Sequence, residues 1–164
     1  MSEVTIRMFK KGDEATLSTL IRRVLKEVNT DDPKWENDWL YEHYTPEVIA
    51  DFAETSHVYV LERDGEIVGT GAIRWDDELT KKRQNKHAEI FACFIHADHI
   101  REGLGGKLFD ALENDEIFKE ADRIWLTTSV MARGFYEHRG YHYTFGYLGK
   151  NDDDLVEMDK TKRN

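Results

Sequence analysis

The sequence lacks several features that would mark a secreted, membrane-bound or repetitive protein. It has one cysteine, Cys93, so no internal disulfide can form, and a cytoplasmic location is expected. No apolar run approaches the length of a membrane span, and the first residues lack the apolar stretch of a signal peptide. Internal repeats and low-complexity segments are also missing, so we expect an ordinary globular protein without a membrane partner.

Positive charge is scarce relative to negative charge. Lysine and arginine number 23 against 33 aspartates and glutamates, and the formal net charge is −10. Nucleic acid is therefore an unfavourable partner. An acidic surface is compatible with a cationic amine substrate, although it more often serves only solubility. With 164 residues, 40% of them hydrophobic, the chain is expected to form a single domain over residues 1–164.

The most informative stretch, residues 88–113, contains a strand, a turn and a helix in that order. Residues 88–95 are apolar except for Glu89, which predicts a strand buried on both faces. Leu104, Leu108 and Leu112 recur every four residues and predict a helix. The glycine-rich turn between them opens that helix, where unpartnered amides and the helix dipole favour an anion. The turn predicts a nucleotide or coenzyme phosphate site, with a tight turn that binds nothing as the alternative.

Two common phosphate-binding motifs fail in this turn. The P-loop requires a serine or threonine after its lysine, and the Rossmann motif requires a third glycine, but Leu108 occupies both positions. Gly103 and Gly105 instead match the glycine pair of [Q/R]-x-x-G-x-[G/A]. This is the pyrophosphate-binding motif of the GNAT superfamily of acyl-CoA-dependent N-acyltransferases. Ile100 stands at the [Q/R] position, and Arg101 is displaced from it by one residue.

A second stretch, residues 129–141, resembles a later motif of the same family, A-x-x-[FL]-Y-x-x-x-G-[FY]. The matching residues are Ala132, Phe135, Tyr136, Gly140 and Tyr141. These two stretches carry the resemblance to the GNAT superfamily. The order of the predicted helices and strands is similar to that of the family over nearly the whole chain. The resemblance implies an α/β (α+β) fold: a mixed, mostly antiparallel seven-stranded sheet flanked by about four helices and splayed between strands 4 and 5.

The resemblance also implies a reaction. The chain is expected to be an N-acetyltransferase that moves an acetyl group from acetyl-CoA directly to a primary amine of a small molecule or protein. No metal and no covalent enzyme intermediate are expected. The alternative is a non-catalytic CoA-binding or sensor module of the same fold. Dimers are common in the family, so a homodimer stays open.

The coenzyme contacts that the resemblance implies fall in three stretches. The amides of residues 101–107 are expected to hold the pyrophosphate, and the strand backbone near residues 94–96 is expected to bind the pantetheine arm. Ser129 stands where the family often has an asparagine that contacts the arm. The expected coenzyme-binding residues are Phe94, Ile95, His96, Arg101, Glu102, Gly103, Leu104, Gly105, Gly106, Lys107, Ser129 and Arg133.

Two residues are candidates for proton transfer. Glu89 is the single charge in an apolar strand, so its pKa should be raised, which suits a general base. The segment H-A-E-I around it resembles the strand that carries the base in the lysine-acetylating branch; exposure at the strand start or pairing with a lysine is the alternative. Tyr136 is expected to protonate the departing CoA thiolate, because a phenol is protonated at neutral pH. Its alternative role is packing beside Phe135.

The acceptor amine is expected at the segment after the first helix, where aromatic and acidic residues alternate. Trp35, Trp39 and Tyr44 would form an aromatic wall for an ammonium group, and simple packing of these rings onto the sheet is the alternative. The polar residues 76–86 are expected to form a solvated loop, and Ser129 is expected to cap the helix that follows it.

Overall fold

The computed structural model describes residues 3–28, 42–96, 103–129, 132–144 and 155–162. Seven strands lie within these ranges: β1 Val4–Met8, β2 His57–Arg63, β3 Glu66–Trp75, β4 His87–Ile95, β5 Arg123–Ser129, β6 His142–Tyr143 and β7 Leu155–Thr161. Six helices have their bounds there: α1 Glu14–Val28, α2 Pro46–Thr55, α3 Asp77–Arg83, α4 Leu104–Glu113, α5 Glu116–Glu120 and α6 Arg133–His138. None of the helices in these ranges is long and apolar enough to cross a membrane.

The strands form one sheet in the order β1-β2-β3-β4-β5-β7-β6. β1 pairs antiparallel with β2, and β7 pairs antiparallel with both β5 and β6, whereas β4 and β5 run parallel. The parallel ladder joins residues 87–89 to residues 123–125 and ends there, although both strands continue. The predicted mixed, mostly antiparallel sheet with a splay between strands 4 and 5 is confirmed.

The described residues belong to two compact units, and β3 and β4 run through both. The first is Met1–Ala72 with Ala92–Asn114, and its core includes Leu17, Ile21, Ile49, Val60, Leu61, Leu108 and Leu112. The second is Ile73–Phe91 with Asp115–Asn164, and its core includes Ile117, Phe118, Ile124, Leu126, Tyr141, Val156 and Met158. That residues 1–164 form a single domain stays a prediction.

Local sequence signals explain several boundaries. Thr45 caps α2 by accepting a hydrogen bond from the Val48 amide at 3.2 Å, and Pro46 occupies the first helical position. Asp64 and Gly65 both have positive φ, at 54° and 77°, which is the backbone of a type I′ hairpin turn. Capping and turn chemistry of this kind acts over two to four residues.

The prediction of a solvated loop over residues 76–86 is wrong, because Asp77–Arg83 forms α3. Asp76 caps it by accepting a hydrogen bond from the Leu79 amide at 2.9 Å, with acids in the first turn and bases in the last. α5 begins in the same way, with Asp115 accepting from the Ile117 amide at 2.8 Å. The described residues therefore contain six helices instead of about four.

The end of β5 and the start of α6 also differ from expectation. Ser129 does not cap α6; it is the last residue of β5 and pairs with Leu155 of β7. Ala132 occupies the N-cap position and makes no capping bond through its side chain. Residues 160 and 161 belong to β7, where they pair with Ile124 and Arg123.

Gly69 is required by a close approach inside the first unit. A Cβ at this position would lie 2.8 Å from Cδ1 of Leu61, 2.9 Å from Cδ1 of Ile95 and 3.3 Å from the carbonyl oxygen of Phe94. The methyl groups can shift, but the backbone carbonyl cannot do so cheaply. We expect Gly69→Ala to lower the free energy of unfolding by about 1–3 kcal/mol in urea titrations. Gly134→Ala is the control, because nothing lies within 4 Å of its added Cβ; equal stability of the two variants would contradict the prediction.

Candidate active site

Glu89 lies on β4 in the second unit and is ion-paired. Nη2 of Arg74, on β3, lies 2.8 Å from its Oε1 and 3.5 Å from its Oε2. The side chain of Glu89 is 15% exposed and that of Arg74 is 39% exposed. The expected alternative of an exposed strand start does not hold, and the partner of Glu89 is an arginine instead of a lysine.

The pKa of Glu89 is raised above its usual value, as predicted. Burial of the carboxylate is the largest cause, and the charge and hydrogen bond of Arg74 oppose it. Asp76 adds a smaller effect in the same direction as burial, since a second negative charge disfavours ionisation. Glu89 therefore combines the carboxyl of a general base with a pKa displaced toward neutrality.

A cavity of about 740 Å³ lies in the second unit. It is lined by Asp76, His87, Arg123, Trp125, Glu157 and Asp159, among others. Trp125 is the ladder neighbour of Glu89, and its Nε1 donates to Oδ2 of Asp76 at 2.9 Å. No residue expected from the sequence to bind substrate or coenzyme lines this cavity, because its walls come from segments far apart in the chain.

The charges in this cavity are largely paired. Arg123 donates to Asp159 at 2.9 Å and to Glu157 at 3.2 Å. His87 is buried, and burial followed by the charge of Arg123 lowers its pKa. Arg74 is the cation that is hydrogen-bonded to Glu89.

The glycine-rich turn lies in the first unit. Gly103 is the N-cap of α4 with φ +79°, a conformation that favours glycine, and Leu104 and Leu108 anchor the helix in the core. The Lys107 amide donates to the Gly103 carbonyl at 3.2 Å, which is the first bond of the helix. Helix geometry therefore gives no internal acceptor to the three preceding helical amides, which belong to residues 104–106.

The predicted pyrophosphate site needs one correction, which concerns Lys107. The Lys107 amide is used inside α4, and its ammonium group donates to the Val4 carbonyl of β1, so neither is directed to a phosphate here. Arg101 and Glu102 lie outside the described residues.

At the end of β4, fewer backbone groups are available to bind the pantetheine arm than expected. Phe94 and Ile95 are half-buried, but the His96 amide donates to the Val68 carbonyl at 2.7 Å and so is not available to a pantetheine arm. The His96 ring is buried, with Nε2 lying 2.9 Å from Nη1 of Arg23. His96 is thus a structural residue in this arrangement.

Ala92 is a feature of β4 that the sequence did not reveal. Its φ is +53°, inside a strand and on a residue with a Cβ, which costs about 1–2 kcal/mol. From Ala88 to Ala92, buried and half-buried residues alternate along β4, with Ala88, Ile90 and Ala92 buried. Residues 93–95 are all half-buried. The expected burial on both faces is wrong, and the positive φ marks the point where the alternation stops.

Cys93 follows this strained residue. Burial raises the pKa of its thiol to about 12, and a backbone hydrogen bond from Ala72 opposes the effect. A thiol with this pKa is protonated at neutral pH and is a poor nucleophile. Cys93 is therefore a structural residue and not a nucleophile.

Tyr136 lies on α6 in the second unit and is half-buried. Its ring meets the fully buried Tyr141 ring edge-on at 6.0 Å and the Phe135 ring at 5.1 Å. Arg133 precedes it on the same helix, is exposed, and donates from Nη1 to the hydroxyl of Tyr143 at 3.3 Å. Two aromatic contacts thus hold the ring of Tyr136.

Of the expected acceptor-site aromatics, the structure describes Tyr44. Its ring meets Phe94 edge-on at 5.4 Å, and its carbonyl accepts from the Ser18 hydroxyl at 2.6 Å. Tyr44 and Phe94, expected respectively to bind acceptor and coenzyme, are therefore in contact. Trp35 and Trp39 lie outside the described residues.

Comparison with known proteins gives a match over most of the chain. Residues 21–141 match the sequence model of the family described as the acetyltransferase (GNAT) family. No match is found among proteins with curated descriptions. Within the described residues, no group of three histidine, cysteine, aspartate or glutamate side chains is placed to hold a metal ion.

Solved structures with the same fold cover nearly the whole chain. PaiA N-acetyltransferase from Thermoplasma acidophilum, in complex with coenzyme A, has a TM-score of 0.77 at 16% identity, covering 98% of this chain and 99% of its own. A GCN5-related N-acetyltransferase from Rhodopseudomonas palustris gives 0.75 at 18%, covering 99% and 98%. The ribosomal-protein-S18-alanine N-acetyltransferase from Escherichia coli gives 0.68 at 17%, covering 97% and 94%. At these identities the likeness is one of fold.

Proposed function

Because this chain belongs to the GNAT acetyltransferase family, we propose that it transfers an acetyl group from acetyl-CoA directly to a primary amine of a small molecule or protein. The observation that carries the proposal is the Glu89 carboxylate, half-buried and with a raised pKa, on the strand that leads into the glycine-rich turn. Coenzyme A in the structure of the similar PaiA N-acetyltransferase supports the choice of donor.

The proposed coenzyme site uses the start of α4. The amides of Leu104, Gly105 and Gly106 would bind the pyrophosphate oxygens, because they have no helical acceptor and lie at the positive end of the helix. Gly106 leaves open space for this approach, since nothing lies within 4 Å of a Cβ built there. Roles for Arg101, Glu102, Phe94, Ile95, Ser129 and Arg133 remain part of the proposal.

The proposed reaction is a direct transfer with three proton transfers. Glu89 takes a proton from the acceptor ammonium, and the nitrogen lone pair forms a bond to the thioester carbonyl carbon. The tetrahedral intermediate collapses as the C–S bond breaks, with its electron pair remaining on sulfur, and Tyr136 gives its proton to that thiolate. The acylated nitrogen loses its second proton to solvent, from which the Tyr136 phenolate is reprotonated. Tyr44, with Trp35 and Trp39, is proposed to contact the acceptor; the cytoplasmic location stays a prediction.

Turnover with a panel of amines tests the function directly. The purified protein is incubated with acetyl-CoA and small amines, amino acids, peptides or a lysine-rich protein, and thiol release and acetylated product are measured. Release that depends on the amine supports the proposal. Coenzyme A affinity without amine-dependent thiol release would indicate the alternative, a non-catalytic CoA-binding module.

We expect Glu89→Gln to lower kcat/KM by about 100-fold and to remove the acidic limb of its pH profile. The base works only when deprotonated, so activity is lost as pH falls through its pKa. Since that pKa is raised, the limb of the wild type should lie above the range of an ordinary carboxyl. Glu120→Gln, on the exposed end of α5, removes a matched carboxylate and should change neither quantity. An unaltered limb and rate in Glu89→Gln would exclude the role.

A further inference from the structure

We propose that Arg74 is a positioning residue for the general base: it holds Glu89 by Oε1 and leaves Oε2 to take the proton of the acceptor. This inference rests on the proposed function and assigns a residue that no family motif identified. It follows from three observations on the second unit: the ion pair, the aromatic ring under the guanidinium, and the unequal bonding of the two carboxylate oxygens.

The guanidinium of Arg74 is fixed at two points of β4. It is bonded to Glu89 at 2.8 Å, and its Cζ lies 4.1 Å from the centroid of the Phe91 ring. Glu89 and Phe91 are two residues apart and so lie on the same face of the strand. A planar group that stacks on one of them while bonding the other cannot rotate without losing a contact, so Arg74 sets the orientation of the carboxylate.

The two oxygens of Glu89 are bonded unequally. Oε1 accepts a charge-assisted hydrogen bond at 2.8 Å, whereas the only partner of Oε2 among the described residues is the same nitrogen at 3.5 Å. A contact at 3.5 Å is at the limit for a hydrogen bond and contributes little. The lone pairs of Oε2 are therefore the less engaged and the more basic, and a proton taken from an amine ends on that oxygen.

The other charges near Glu89 do not duplicate Arg74. The titratable and charged groups on this side of the second unit are Arg74 and Asp76 from β3 and its end, Arg83 from α3, His87 from β4, Arg123 from β5, and Glu157 and Asp159 from β7. Asp76 works against ionisation of Glu89 and Arg74 favours it. Arg74 is the one cation among the groups that shift the pKa of Glu89, so the loss of Arg74 should change that pKa.

The consequence for the pH profile has a definite sign. Without Arg74, burial of Glu89 is no longer opposed, so the pKa of the carboxyl rises and the acidic limb of kcat/KM moves to higher pH. An opposite charge at this distance typically lowers the pKa of a carboxyl by about one unit or more. At pH values below the acidic limb, Arg74→Gln should therefore lose about tenfold or more in kcat/KM. At high pH, where Glu89 is ionised in both proteins, the loss should be smaller and should reflect the lost orientation alone.

The test uses three variants of the full chain and two measurements. Arg74→Gln removes the charge, Arg74→Lys keeps it but loses the planar stacking, and Lys82→Gln removes a matched exposed charge from α3. The pH dependence of kcat/KM is measured for each, and the Glu89 carboxyl is titrated by ¹³C NMR. We expect the limb and the NMR pKa to rise together in Arg74→Gln, to return in Arg74→Lys with a lower plateau rate, and to stay unchanged in Lys82→Gln.

A double-variant cycle separates this role from a merely structural one. If Arg74 acts through Glu89, then Arg74→Gln should cause no further loss of activity in a Glu89→Gln background. Additive losses, or an unmoved limb with an unmoved NMR pKa, would overturn the inference while leaving the proposed function intact. Absence of acetyl transfer to every amine in the wild type would overturn the proposed function and this inference together. Should Arg74→Gln fail to fold, Arg74→Lys still gives the plateau comparison.

Discussion

Tyr136→Phe is expected to lower kcat by about 100-fold or more, while the fold and the dissociation constant of coenzyme A stay nearly unchanged. The variant keeps the ring and removes only the hydroxyl proton, and loss of a general acid typically costs 10²–10⁴-fold in rate. Without a donor, coenzyme A must leave as a free thiolate. Measuring kcat and the affinity for coenzyme A on the same preparation separates a loss in chemistry from a loss in binding.

The packing of Tyr136 makes this substitution a clean one. Its edge-on contacts with Tyr141 and Phe135 are made by the ring, which phenylalanine retains. Tyr59→Phe on β2 is a matched control, since it removes a phenol from a half-buried tyrosine without a proposed role. If Tyr136→Phe turns over at the wild-type rate under conditions where chemistry limits kcat, the proton must come from water or another side chain.

The parts of the fold that sequence reasoning found are those determined by a long apolar period. α1 and α4 have regular apolar stripes, and β4 is an apolar run, so their existence was predictable. α3 and α5 were missed for a physical reason. They are seven and five residues long, and α3 buries no residue. The Asp76 cap, the order of its charges and the hydrogen bond from the His87 amide to the Thr80 hydroxyl stabilise α3. Capping signals at Asp76 and Asp115 would have found both helices.

Within the candidate site, sequence reasoning identified residues with a local signal and missed contacts between distant parts of the chain. Glu89 stood out because a single charge in an apolar strand is visible in the sequence. Its partner Arg74 was not identifiable, because the pairing depends on the placement of β3 beside β4. The same holds for Lys107, whose contact with Val4 spans 103 residues of chain. The positive φ of Ala92 has no sequence signal, since alanine does not favour it.

The largest effect on coenzyme binding is expected from Gly103→Val. Gly103 has φ +79°, where a residue with a Cβ costs about 1–2 kcal/mol, and a β-branched side chain is the least tolerated there. Relieving this strain shifts the turn and the amides of residues 104–106 that follow it. Each hydrogen bond from an amide to a charged phosphate contributes about 1.5–3 kcal/mol, so loss of one should raise the Kd for coenzyme A by about 10- to 100-fold. Isothermal titration of the variant with coenzyme A measures this directly.

Gly65→Val separates loss of the binding site from loss of stability. Gly65 has φ +77°, nearly the same as Gly103, and nothing lies within 4 Å of an added Cβ at either position. The two substitutions should therefore lower the free energy of unfolding by similar amounts, but the strain at Gly65 falls on the hairpin between β2 and β3. We expect Gly65→Val to bind coenzyme A with the wild-type Kd. If both variants weaken binding equally, the effect arises from destabilisation; if neither does, the turn at Gly103 is not the pyrophosphate site.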